Sequence, residues 1–510
     1  MNNLTKTYPA DVKLRGEKRA IASEIYGNRF HADQTLYEYL IEFLLIFVSE
    51  DDEGVNPKEA FSFHDPNATG NLYYKVQPRM GLKRFIFFDK NKKNDAIKID
   101  RDAYNAMMDA LMEKIEDCEA EEKRDVLEAL QDLLHGYAVV LKKRTWCAQA
   151  MLPLCPEVIF CEAMPKKNVR KDLKWDTVIQ EELEQDRRVV DSEFDFDKRN
   201  FLARGGELYY LHILQGLKQG KPEEKERLEW LFKEQLLEKG KKFSDVANFV
   251  QNTWEERMGY TSHPIKRLGI SFIPEDAYKN IAHDSVEELI NYMSCRMHPV
   301  KKIELLSKGI MVQIMRMLSV ATTNYLSQER ECWIMDICGS TGNVVKKIAS
   351  NSFINVEGTF TTAIGKSTDS SDDFERLKLI KKAKKDSFDI FKSKGKELQC
   401  IIPTSGPYER FSLPEDCMRF LVLAIIPPQQ KMTVDMFLEQ LYEKYRIVIG
   451  PAQYKSMSGL ESINDRALAN SFIENMNAFQ DFLKATGFLR ELSDATSIVV
   501  NPYEDLKGAE

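Results

Sequence analysis

The sequence predicts a mainly α, multi-domain protein with small β insertions and a C-terminal helical module. Three observations carry this. Apolar residues recur at helical spacing over long stretches. The chain has 510 residues, more than one hydrophobic core usually organises. After Gly487 the period changes from helical to alternating, as in a short hairpin. Composition shifts divide the chain into an N-terminal α+β region (1–145), a central mainly helical region (146–272), a helical core with a small β insertion and a Lys-rich helix (273–400), and the C-terminal module (401–510).

In the first region, Leu36, Leu40, Phe43, Leu44 and Phe47 make one face of a helix over Asp33–Val48, widened by Tyr37 and Ile41. Leu72–Asp89 reads as strand, with Phe85-Ile86-Phe87-Phe88 fully apolar and Ile97 and Ile99 on a returning strand. Helices resume at Tyr104–Ile115 and Lys123–Leu141. In the central region, Pro153 and Pro156 forbid one continuous helix over Cys147–Ala163, which reads as a buried connector. Lys166–Arg188 is densely charged. Arg204-Gly205-Gly206-Glu207 is a turn signal, and the apolar run Leu208–Leu214 suits a buried helix or a strand. Helices follow over Pro222–Lys239 and Ser244–Met258.

Ser285–Leu326 is the most apolar helical region, interrupted at His298-Pro299. Its methionines (Met293, Met297, Met311, Met315, Met317) share a face with Leu and Ile and read as core. Gly339–Gly365 is rich in Gly, Ser, Thr, Val and Phe and predicts strands. Phe374–Phe391 predicts one amphipathic helix, with Phe374, Leu377, Ile380, Phe388 and Phe391 in a single arc. Lys378, Lys382 and Lys385 form a ridge beside it and are the candidate nucleic-acid-binding residues, since lysines at this spacing can meet successive phosphates. Lys381 and Lys384 flank the other side, and Lys392, Lys394 and Lys396 extend the positive surface. No aromatic residue stands among the exposed lysines, so base stacking is not expected.

The C-terminal module begins near Pro414. A first helix over Cys417–Ile426 ends at Pro427-Pro428. A second, capped by Thr433, carries Val434, Phe437, Leu438, Leu441, Tyr442 and Tyr445 on one face. A third carries Leu468, Phe472, Met476, Phe479 and Leu483 and closes at Gly487. A hairpin follows, Phe488–Leu492 with Ser497–Val500. This order of helices and hairpin resembles a winged-helix domain. The resemblance implies duplex contact through the third helix, which offers Glu474, Asn475, Asn477, Gln480, Asp481 and Lys484. From Pro414 to Glu510, however, nine Lys/Arg stand against fourteen Asp/Glu, and that balance favours a protein-contact module.

Catalytic chemistry is weakly represented. The nine cysteines form no Cys-x-x-Cys, and the seven histidines form no His-Glu-x-x-His. Gly365-Lys366-Ser367 ends like a phosphate-binding loop but lacks the earlier glycine. Asp191, Glu193, Asp195 and Asp197 alternate with Ser192, Phe194 and Phe196. On a strand all four carboxylates would share a face and could hold Mg²⁺ for a metal-dependent nuclease. An exposed edge strand has the same pattern. No cofactor is expected.

Net charge is −8, without a global nucleic-acid or membrane footprint. Met1–Lys6 lacks the apolar core of a signal peptide, and Leu36–Val48 is too short to span a bilayer, so a cytoplasmic location is expected. The expected role is a non-catalytic subunit or adaptor of a multi-protein, nucleic-acid-associated bacterial assembly, with defence against phage as its setting. Its partners would be other protein subunits, and DNA or RNA through the Lys-rich helix, with no membrane. The alternatives are the metal-dependent nuclease and a DNA-binding regulator acting through the winged-helix-like module.

Overall fold

The computed structural model describes residues 6–12, 21–28, 30–31, 34–76, 79–88, 98–141, 149–161, 205–258, 266–338, 343–368, 372–459, 465–493 and 496–506. They are mainly helical, with small sheets of two or three strands. The helices used below are α1 (Leu36–Val48), α2 (Gly205–Gln219), α3 (Lys279–Ser294), α4 (Pro299–Leu326), α5 (Asn343–Ser367), α6 (Asp373–Lys385), α7 (Phe388–Glu397), α8 (Glu415–Ile425), α9 (Val434–Tyr445), α10 (Pro451–Ser458) and α11 (Arg466–Ala485). The strands used are β1 (Trp333–Ile334), β2 (Lys431–Thr433), β3 (Ile447–Val448), β4 (Leu489–Ser493) and β5 (Thr496–Val500).

α4 is the axle. Pro299 occupies its first turn, and Ser327 closes it in the left-handed conformation at φ 55°. Its apolar residues point all round, so it is buried on every side. It is long and apolar enough to cross a membrane, but here its apolar window is 94% buried inside the protein. Helices α1, α5, α7 and α8 pack around it, and α3 is tied to it through Glu288 and Arg316. Gly309 lets α8 approach closely, since a Cβ there would lie 2.1 Å from the Phe420 ring. The Met stripe is core, with Met293, Met311, Met315 and Met317 at 0–1% exposure. Buried apolar side chains from all four regions join one continuous cluster.

α1 is capped by Thr35, whose hydroxyl and Glu38 bond each other's backbone N–H groups. Buried Glu42 then accepts the N–H of Gly206 at 2.7 Å, and Gln34 accepts that of Gly205 at 3.1 Å. Two donors left open at the start of α2 are thereby met, and the negative charge suits a helix N-terminus. The run Leu208–Leu214, open between helix and strand, is therefore helix, and a Cβ on Gly216 would strike Ala282 O at 2.2 Å where α2 meets α3.

A buried polar knot joins α3, α4 and α9. Arg316 donates to both Glu288 oxygens at 3.0 and 2.9 Å. Glu288 also accepts from the Tyr445 hydroxyl at 2.7 Å and from Gln313 at 2.5 Å. The guanidinium lies 4.5 Å from the centre of the Tyr445 ring. Burial opposes the charge on Arg316, but Glu288 and Tyr445 outweigh it and hold its pKa above the usual value.

In the C-terminal module the three expected helices and the hairpin form, but a further helix, α10, stands between the second and third of them, where the sequence reading had only a break at Gly450-Pro451. Thr433 caps α9, accepting the N–H of Met436 at 3.2 Å, and Arg446 ends it in the left-handed conformation. The hairpin forms as β4 and β5, and β2 adds to it, giving an antiparallel sheet of order β2-β5-β4. β3 pairs in parallel with β1 of the body. α8 is buried on all sides, with Met418, Leu421, Val422, Leu423 and Ala424 at 0–1% exposure, because α3 and α4 pack against it.

Several expectations are corrected. Tyr73–Val76 is a strand, paired antiparallel with Lys266–Gly269. Phe85–Phe87 lies instead in the helix Met80–Phe87, and Ile99 lies in the helix Lys98–Glu113. A short apolar run buried all round carries no period to tell strand from helix. Gly339–Gly365 contains no strand among its described residues. It is α5, with Val345, Ala349, Phe353, Val356, Phe360 and Ala363 buried at helical spacing; tertiary burial outweighs the β preference of Val, Thr and Phe. Phe374–Phe391 is two helices, α6 and α7, broken at Asp386-Ser387.

Two predictions follow from this packing. Glu288→Ala strands a buried guanidinium and should cost roughly 3–5 kcal/mol, whereas Glu288→Leu with Arg316→Met should recover most of it; urea midpoints measure both. His64 and His212 are buried, and burial first of all lowers each from 6.5 to about 3. Between pH 6.5 and 3 the unfolded chain therefore binds protons that the folded one refuses, so stability falls as pH drops through this window. At about 1.4 kcal/mol per pH unit per site, the pair should cost roughly 4 kcal/mol by pH 5. In urea titrations at pH 7 and pH 5, His212→Gln should remove about half of that slope.

Candidate nucleic-acid interface

α6 starts at Asp372, whose carboxylate accepts the N–H of Phe374 at 3.0 Å. Asp373 and Glu375 in the first turn and Lys382, Lys384 and Lys385 in the last complement the helix dipole. Ala383 is its one fully buried residue. Phe374 and Leu377 are 74% and 66% exposed, so they do not share a docked arc with Phe388 and Phe391, which are buried. The break at Asp386-Ser387 is the reason: it turns Phe374 and Leu377 in a different direction from Phe388 and Phe391.

The candidate residues Lys378, Lys382 and Lys385 are all exposed, as are Arg376 and Lys381. Lys378 lies 3.4 Å from Glu375, and Lys384 pairs with Glu357 of α5 at 3.0 Å. Arg376, Lys381, Lys382 and Lys385 make no ion pair among the described residues. The expected extension of this surface is corrected. Lys392 and Lys396 both grip Glu409, at 2.7 and 2.9 Å, and Lys394 is buried against Glu397 at 2.9 Å. Burial alone would raise the Glu409 carboxyl, but the two lysines hold it down to about 2. These three lysines therefore serve the body's own ion pairs.

The helix expected to be the module's third, α11, is its fourth, because α10 precedes it; it exposes Asn470, Ile473, Glu474, Asn477, Asp481 and Lys484. Asn475 is not on that face. It is fully buried, accepts the N–H of Ile337 at 2.8 Å, and donates to Met335 O at 3.0 Å and Ile449 O at 2.9 Å. It clamps the ends of β1 and β3, a role its position on the helix wheel could have suggested, since Phe472 and Phe479 share its side.

Asp191, Glu193, Asp195 and Asp197 lie outside the described residues, as does Lys166–Arg188. Gly365-Lys366-Ser367 is the last turn of α5, and the Ser367 hydroxyl bonds Glu24 at 2.9 Å. Among the described residues, one group, Glu224, His283 and Glu287, brings potential metal-ligand atoms within 4.8 Å of one another. Within it, His283 Nε2 is hydrogen-bonded to Glu224 at 3.1 Å. The described cysteines are free, and the Cys400 and Cys417 thiols touch at 3.3 Å in the core.

Comparison with known protein families, with curated proteins and with solved structures finds no match to this chain.

Asn475→Ala would leave three buried backbone groups unmet. It should cost on the order of 3 kcal/mol in urea unfolding.

Proposed function

We propose that the protein is a non-catalytic, nucleic-acid-associated subunit that touches the phosphate backbone through α6. The observation that carries this reading is the cluster of Arg376, Lys381, Lys382 and Lys385, exposed and unpaired among the described residues, on a helix buried fully only at Ala383. Lys378 adds a fifth cation beside them. Unpaired cations on one exposed helix release counterions when they meet phosphates, and that gain is indifferent to base sequence. The C-terminal module is read as winged-helix-like. Support comes from its strand order β2-β5-β4, with β2 leading directly into α9 and the last two strands forming a hairpin after α11. Exposed Glu474 and Asp481 on α11 face phosphates badly, so this module serves contacts with protein subunits while α6 serves nucleic acid.

The test is binding of a duplex DNA and a single-stranded RNA to the full chain across salt concentrations. Changing Lys378, Lys382 and Lys385 together to Glu should weaken both by roughly tenfold or more. It should flatten the salt dependence by about one unit of slope per lost phosphate contact. Absence of salt-sensitive binding at low ionic strength would remove the proposal.

A further inference from the structure

A cavity of about 350 Å³ lies in the seam between the C-terminal module and the body. Arg330 lines it just before β1. Asn351 and Asn355 line it from α5, Tyr442 and Arg446 from the end of α9, and Tyr454 from α10. Its volume is in the range of small-ligand sites.

Arg330 is the unusual member. Its Nη1 donates to Lys444 O at 3.0 Å, while Nε and Nη2 are buried without a hydrogen-bond partner. The charges that act on it most strongly are those of two other arginines, Arg316 and Arg446. Burial first, then these two, push it down to about 9. Arg316 is neutralised by Glu288, but Arg330 and Arg446 make no ion pair with a carboxylate among the described residues. A buried guanidinium with two unmade bonds and a like charge for a neighbour is costly, and an anion would relieve both faults. Guanidinium groups recognise phosphate in a fork that supplies geometry as well as charge.

The remaining walls describe the rest of the ligand. Arg446 lies 5.2 Å from the centre of the Tyr442 ring. Tyr454 is stacked on Phe472 at 4.4 Å, which holds that wall rigid. Asn351 and Asn355 are four apart on one helix, so both reach the same side, and both are exposed. Asparagine amides match the donor and acceptor edges of a base. Glu329 and Glu331 also line the cavity and disfavour a long polyanion.

We propose that this cavity binds a mononucleotide, with the phosphate on Arg330 and Arg446 and the base beside Tyr442 and Tyr454, its edge toward Asn351 and Asn355. The inference is independent of the nucleic-acid surface on α6.

The test is calorimetric titration of the full-length protein with the four common nucleoside monophosphates, their parent nucleosides and inorganic phosphate. At least one monophosphate should bind and raise the melting temperature, and its nucleoside should bind more weakly by roughly a hundredfold. Arg446→Asn keeps a residue that tolerates the left-handed conformation, and should weaken binding by roughly tenfold or more with the fold intact. Arg330→Met should abolish binding while leaving the ligand-free protein as stable or more so, because a purely structural arginine would not behave that way. Changing Lys378, Lys382 and Lys385 to Glu should leave the titration unchanged. Absence of binding by every monophosphate overturns the proposal. So does inorganic phosphate binding as tightly as the nucleotides, or a loss of ligand-free stability in Arg330→Met.

Discussion

Glu288 and Arg316 are withdrawn from water together, at 1% and 0% side-chain exposure. Neither charge could stay buried alone, because stranding either one costs several kcal/mol. Apolar contacts between α3 and α4 are non-directional and would tolerate a range of positions. The ion pair does not: Arg316 Nη1 must reach both Glu288 oxygens while Nη2 reaches Ile281 O, which limits how far each helix may slide. Tyr445 brings α9 into the same knot, and Lys444 beside it reaches Asp284 of α3 at 3.2 Å. The C-terminal module is thus held to the body by directed polar bonds as well as by burial.

That attachment makes a seam with two different fates along its length. On one side Asn475 satisfies three backbone groups and closes the join of β1 and β3. On the other, Arg330 is enclosed with donors unmet. A seam kept only for stability would favour an apolar residue there, since hydrophobic replacement of buried charge is often neutral or stabilising. Local rules broken without structural compensation tend to mark function. The same logic separates the lysines. Those of α7 are spent on Glu397 and Glu409, whereas most cations of α6 face outward and pair with no carboxylate among the described residues.

The helices that were legible in the sequence are those whose apolar spacing and caps agree with their burial. α9 has its Thr433 cap and its face from Val434 to Tyr445, and α4 and α11 show the same agreement. α5 is not legible, because its Val, Thr and Phe residues favour strands in isolation and only tertiary packing, against α4, α6, α11 and β1 among others, makes them helical. The break at Ser387 is not legible either, because the apolar residues on its two sides fall on one arc if the helix is drawn straight through.

The sequence by itself determined where helical periodicity lies, where the caps stand and where lysines outnumber acids. Those properties depend on residues a few positions apart. The tertiary structure alone decided which polar residues are buried and what they meet. Glu288 and Tyr445 are 157 positions apart, and Asn475 and Met335 are 140 apart. Whether a charge is desolvated, paired or left wanting an anion depends on chain segments that only the fold brings together.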